Sequence, residues 1–160
     1  MVALRVAVAV DDIASRMRQR LHALGDFDAR EVVWQEGTAR LLLHTHALQV
    51  RALEGWLVGN LDVQTDEAGR ATLQFIFFLG DEREAGPHGS ATINAATREA
   101  AQIADRWGRD LLRVLWEAVL DGIEASIETT SIQFGGRRVA VAGLFSTRKA
   151  FFVDLVAGDR

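Results

Sequence analysis

The chain contains no cysteine among its 160 residues, which removes disulfides, thiolate nucleophiles and cysteine metal sites together. Lysine is almost absent as well: 17 of the 18 basic residues are arginine and only Lys149 is lysine, so Schiff-base chemistry is not expected. No apolar run approaches the roughly 20 residues that a helix needs to cross a bilayer. Met1 leads directly into an alternating segment, Val2 to Val10, rather than a basic, apolar and small-residue signal. A cytoplasmic address is therefore the expectation. With 22 acidic against 18 basic side chains the net charge is −4, which gives a nonspecific grip on nucleic acid or anionic lipid little electrostatic support. Neither a nucleic acid nor a membrane is an expected partner.

What the chain has is apolar periodicity. Ala96, Ala100, Ala104, Trp107, Leu111, Leu115, Ala118 and Gly122 follow at steps of four, four, three, four, four, three and four. This eleven-residue period keeps one side of a long, nearly straight helix apolar. It predicts a helix from Ala91 to about Ile127 lying on a sheet, with Trp107 and Leu111 as core residues facing Leu73, Phe75 and Phe77.

Upstream, Val2, Leu4, Val6, Val8 and Val10 alternate with smaller or charged residues and predict a strand. A short helix should follow, capped by Asp11 or Asp12, with Ile13, Met17, Leu21 and Leu24 as its buried stripe and Gly25 in a left-handed C-terminal position. Strands are expected from Glu31 to Gln35, Ala39 to about Val50 and Trp56 to Thr65, with Leu48 to Leu57 open to a helical turn instead. Leu57 to Thr65 and Arg70 to Leu79 predict a hairpin closed by Asp66-Glu67-Ala68-Gly69. Gly135-Gly136 and Ser146-Thr147 divide Ser131 to Val156 into three short strands. The expected fold is one α+β domain over residues 1–160. Its mostly antiparallel sheet packs on one long and one short helix, and the order strand, helix, three strands occurs twice.

Signals for chemistry are sparse. His44 and His46, two apart on a strand, should leave the same face at a spacing that can put two imidazoles on one metal. The run Gly37, His44-Thr45-His46, Glu54, Gly59 loosely resembles the first metal motif of cupins, at a different spacing. The loop Gly80 to Ser90 ends at the expected start of the long helix, so Arg83, His88 and Ser90 are candidate ligand- or partner-binding residues. It is also expected to be the most mobile internal segment. Arg83 and Gly86 resemble the acetyl-coenzyme-A loop of Gcn5-related acetyltransferases, which has a small residue where this chain has His88. The repeated topology and the opening Val6-Ala7-Val8-Ala9-Val10-Asp11-Asp12-Ile13 are similar to the glyoxalase, or vicinal-oxygen-chelate, family. That resemblance implies paired modules around a metal, but Arg5 and Asp154 stand where its histidine and glutamate ligands often lie, so it transfers no metal site.

The long helix holds the strongest functional signal. From Leu111 to Leu120 only Arg113 and Glu117 interrupt its apolar circumference, and a helix apolar nearly all round needs cover on more than one side. Burial between the sheet and the rest of the domain would supply that cover, and so would a partner, for which Leu112, Trp116, Val119 and Leu120 are the candidate interface. The expected function is a non-catalytic binding or chaperone-like module, homodimeric, holding a protein client or an apolar small ligand, with no cofactor. The competing expectation is a small metal-dependent enzyme built on His44 and His46, with Glu54, Asp62 or Asp154 as carboxylate partners.

Overall fold

The computed structural model describes residues 3–28, 30–81, 90–133, 135 and 137–157. The chain runs β1 (Ala3–Val8), α1 (Val10–His22), β2 (Asp26–Phe27), β3 (Val32–Glu36), β4 (Ala39–Leu53), β5 (Trp56–Thr65), β6 (Gly69–Phe78), β7 (Ala91–Asn94), α2 (Arg98–Gln133), β8 (Val139–Ser146) and β9 (Phe151–Ala157). Strands β2 to β7 form a six-stranded antiparallel sheet in sequence order, and β1, β9 and β8 form a second sheet of three. The fold is α+β, as expected.

Alternation along the large sheet decides which face is covered. Leu57, Leu61 and Val63 of β5 and Leu73, Phe75 and Phe77 of β6 point inward and are buried, while Asn60, Asp62, Thr72 and Gln74 point outward. Helix α1 lies over β4 and α2 over β6 and β7. The small sheet meets α2 through β1 and β8, and Val153 and Leu155 of β9 belong to the same buried cluster, so one continuous core joins both sheets and both helices. Trp107 and Leu111 sit inside it as expected, Trp107 with its ring 4.9 Å from that of Trp34.

Two close approaches fix the helices. A Cβ on Gly122 would lie 2.6 Å from Ile13 Cδ1, so α1 crosses α2 there, and one on Gly108 would lie 2.7 Å from Ile93 Cδ1 on β7. The two sheets are joined where β6 ends: the Gly80 N–H donates to Leu144 O and the Ser146 N–H donates to Gly80 O. The Ser146 hydroxyl adds a bond to Trp56 O.

Several local expectations need correction. Ala91 to Asn94 is not the first turn of the long helix but an edge strand paired with β6. The helix begins after Thr97, whose hydroxyl accepts from the Ala100 N–H. It continues to Gln133, so two strands follow it rather than three. Five strands separate α1 from β7, and β1 and β7 belong to different sheets, so the strand-helix-three-strand order does not repeat. Asp11 and Asp12 lie in the first turn of α1, which starts from Ala9 without a side-chain cap. Gly25 is required for proximity rather than for a left-handed turn, because a Cβ there would lie 2.0 Å from Val33 O. Residues 48–57 form strand, turn and strand, with Gly55 at φ 81°.

Candidate protein-docking site

The helix-based site is built on the most exposed side of α2, at the margin of the large sheet. Arg109, Arg113, Trp116, Leu120, Glu124 and Ile127 follow at steps of four, three, four, four and three, which aligns them in one stripe parallel to the buried seam. Arg109, Arg113 and Glu124 are exposed, Trp116 and Ile127 half-buried, and Leu120 keeps 44% of its surface in solvent. Trp116 is already held in place: its ring stacks on that of Phe77 at 5.5 Å and 27°. Leu112 is half-buried beside it. Val119 has no exposed surface, so its assignment to an interface is wrong. It faces the core because burial of α2 extends past the predicted seam to Ile103, Val114, Val119 and Ile123.

Next to the stripe runs a groove of about 410 Å³ lined by Arg20, Glu117, Leu120, Asp121, Ile123, Glu124 and Ile127. Arg20 of α1 donates through Nε and Nη2 to both Asp121 oxygens at 2.7 Å and through Nη1 to Glu117 at 3.1 Å. The bond from Arg20 holds the Asp121 carboxyl below the usual carboxylate range, against a smaller opposing effect of burial. One arginine thus serves two acids directly, while Glu124 is left without a short ion pair among the described contacts. The groove therefore has an apolar floor and a net acidic rim. Sequence reasoning missed Arg20; its signal was the run Arg16, Arg18, Arg20, which lies largely off the stripe of α1.

The histidine site is differently made. His44 and His46 do leave the same outer face of β4, with ring centroids 6.2 Å apart. His44 is 4% exposed, with Nδ1 3.4 Å from Glu31 Oε1 and Nε2 3.4 Å from Gln64 Oε1. His46 is exposed and its Nδ1 lies 2.9 Å from Arg30 O. Across the register, Asp62 accepts from Thr72 and Arg70. Burial pushes its carboxyl up, but those two bonds outweigh it and the net shift is downward. Among the described residues no group of three or more His, Cys, Asp or Glu is placed to hold a metal ion. Glu54 lies in the β4–β5 turn, and Asp154 on β9 pairs with Arg5 at 2.8 Å, so neither joins the histidines.

Arg83 and His88, and with them the expectation of a mobile loop, lie outside the described residues. Ser90 is exposed, and its carbonyl accepts from the Phe78 N–H at 2.7 Å. A second recess of about 230 Å³ beside Gly122 is lined by Val6, Asp12, Ser126, Thr129 and Thr130. There the Ser126 and Thr129 hydroxyls already bond to helix carbonyls four residues back, and Asp12 is paired with Arg16. No helix in the described residues is long and apolar enough to cross a membrane. The chain matches no family model, no curated protein and no solved structure.

Proposed function

We propose that this protein is a non-catalytic interaction module, chaperone-like in that it holds another polypeptide, and that the outer stripe of α2 is its docking surface. The carrying observation is Leu120, exposed beside the packed Trp116 and above an apolar groove with an acidic rim. A pre-positioned aromatic next to exposed aliphatic surface is the usual centre of a protein contact, because little side-chain entropy is lost on binding. The groove is open along the helix, which suits an extended or helical segment better than an enclosed small molecule. The expected partners, a second copy and a client chain, both require this surface. A soluble, cytoplasmic life belongs to the same proposal.

Photo-cross-linking in the producing cells tests it. A photoreactive residue at Leu120 should give adducts of defined mass, while the same residue at Thr72 on the outer sheet face should give none. Equal adduct formation at the two positions, or none at Leu120, would remove the docking surface from α2.

A further inference from the structure

The charges along the outer stripe are divided by sign. Arg106, Arg109 and Arg113 are exposed on the N-terminal half of α2, whereas after Arg113 every charged residue of the helix is acidic: Glu117, Asp121, Glu124 and Glu128. Glu99 in the first turn follows the helix dipole, but the acidic C-terminal half works against it, since the peptide dipoles favour bases there and no basic residue occupies the last turn. A sequence that breaks a local rule on an exposed face is commonly serving another surface. Arg20 answers Asp121 and Glu117. Among the described residues Arg113 pairs with Asp110 alone, at 3.5 Å, and both groups remain well exposed.

We infer that the occupant of this stripe is a second copy of the chain, bound with the two α2 helices antiparallel about a twofold axis between Trp116 and Leu120. Reversal of the second helix sets Arg113 of each copy against Glu124 of the other, and Arg109 against Glu128. Trp116 and Leu120 of both copies meet at the axis. Because a twofold contact uses the same patch twice, a patch basic at one end, apolar in the middle and acidic at the other is self-complementary only in the antiparallel sense. A parallel arrangement would place arginine on arginine and carboxylate on carboxylate. The inference rests on the docking surface proposed above and names its occupant.

Charge exchange at two exposed positions tests it, with mass read by light scattering at micromolar concentration. The wild type should be a dimer. Arg113→Glu and Glu124→Arg should each weaken self-association about tenfold or more, since each places like charges in contact twice. An equimolar mixture of the two single variants should recover the dimer mass, because each copy then presents to the other the sign it lacks. Both positions are solvent-exposed, and circular dichroism of each variant checks that the fold is kept. A monomeric wild type overturns the self-pairing. So does a mixture that stays as weak as its components. If self-pairing fails while adducts to another protein still form at Leu120, the docking surface stands and the second copy is the wrong occupant. If no adducts form there, the docking reading fails as well.

Discussion

At the scale of single residues, stability depends on how little space the core leaves. Leu111 is fully buried, so Leu111→Ala removes transfer energy and leaves a cavity. We expect a loss of about 2–5 kcal/mol in denaturant unfolding; a loss under roughly 0.5 kcal/mol would show that the seam is not packed there. The glycines provide a finer comparison. At Gly25 an added Cβ meets the backbone carbonyl of Val33, whereas at Gly122 it meets the flexible end of Ile13. Gly25→Ala should therefore lower the melting temperature more than Gly122→Ala, since a strand backbone yields less readily than a side chain; the reverse order would contradict the close approach of residue 25 to β3. Asp121 adds a pH dependence. Its carboxyl titrates below its ordinary value of 3.8 because of Arg20, so the stabilisation it brings is complete above that value and is lost as pH falls through the lower, folded-state one. The stability gap between wild type and Arg20→Met should shrink on acidification below pH 3.8. A gap that widened instead would mean the pair is not formed.

At the scale of elements, sequence legibility followed the length of the periodic signal. The middle of α2 was readable because its eleven-residue period runs for several turns and nothing in the sheet overrides it. Its ends were not. Asn94-Ala95-Ala96-Thr97 contains alanines that suit a helix, and only pairing with β6 makes Ala91–Asn94 a strand. The Thr97 cap was the available local signal. At the other end the helix runs past the expected stop near Ile127, and the Thr129 hydroxyl bonds to the Ala125 carbonyl within it. That the apolar surface of α2 reaches solvent at Leu120, with Leu112 and Trp116 half-buried beside it, was legible from the excess apolar circumference. Val119 was misplaced because its burial depends on tertiary packing around α2 that helical periodicity alone does not reveal. The bend in β4 was likewise invisible. Between His44 and Gln49 four residues stand against Leu61 alone on β5, and Arg18 donates to the Thr45 and Leu48 carbonyls freed there. Arg18→Met should cost about 1–3 kcal/mol and speed amide exchange in residues 45–50. Unchanged exchange would show that the bulge holds without the arginine.

At the scale of the whole molecule, the small sheet turns a two-layer fold into one whose long helix is covered on two sides, and the outer stripe of α2 is what remains. About 54 Å of helix follows from 36 residues at the usual rise, and the stripe from Arg109 to Ile127 takes up about 27 Å of it. The outer sheet face also carries Trp56, 44% exposed and packed edge-on against Phe78. Isolated aromatics of that kind are ordinary on a sheet surface, whereas the stripe combines apolar centre, flanking charge of both signs and a groove. Hydroxyl-radical footprinting of the purified chain, compared between dilute and micromolar solution, separates the two surfaces directly. The account predicts that Trp116, Leu120 and Ile127 lose reactivity as concentration rises while Trp56 does not change. Undiminished labelling of Leu120 at the concentration where the chain self-associates, or protection of Trp56 in its place, would contradict it.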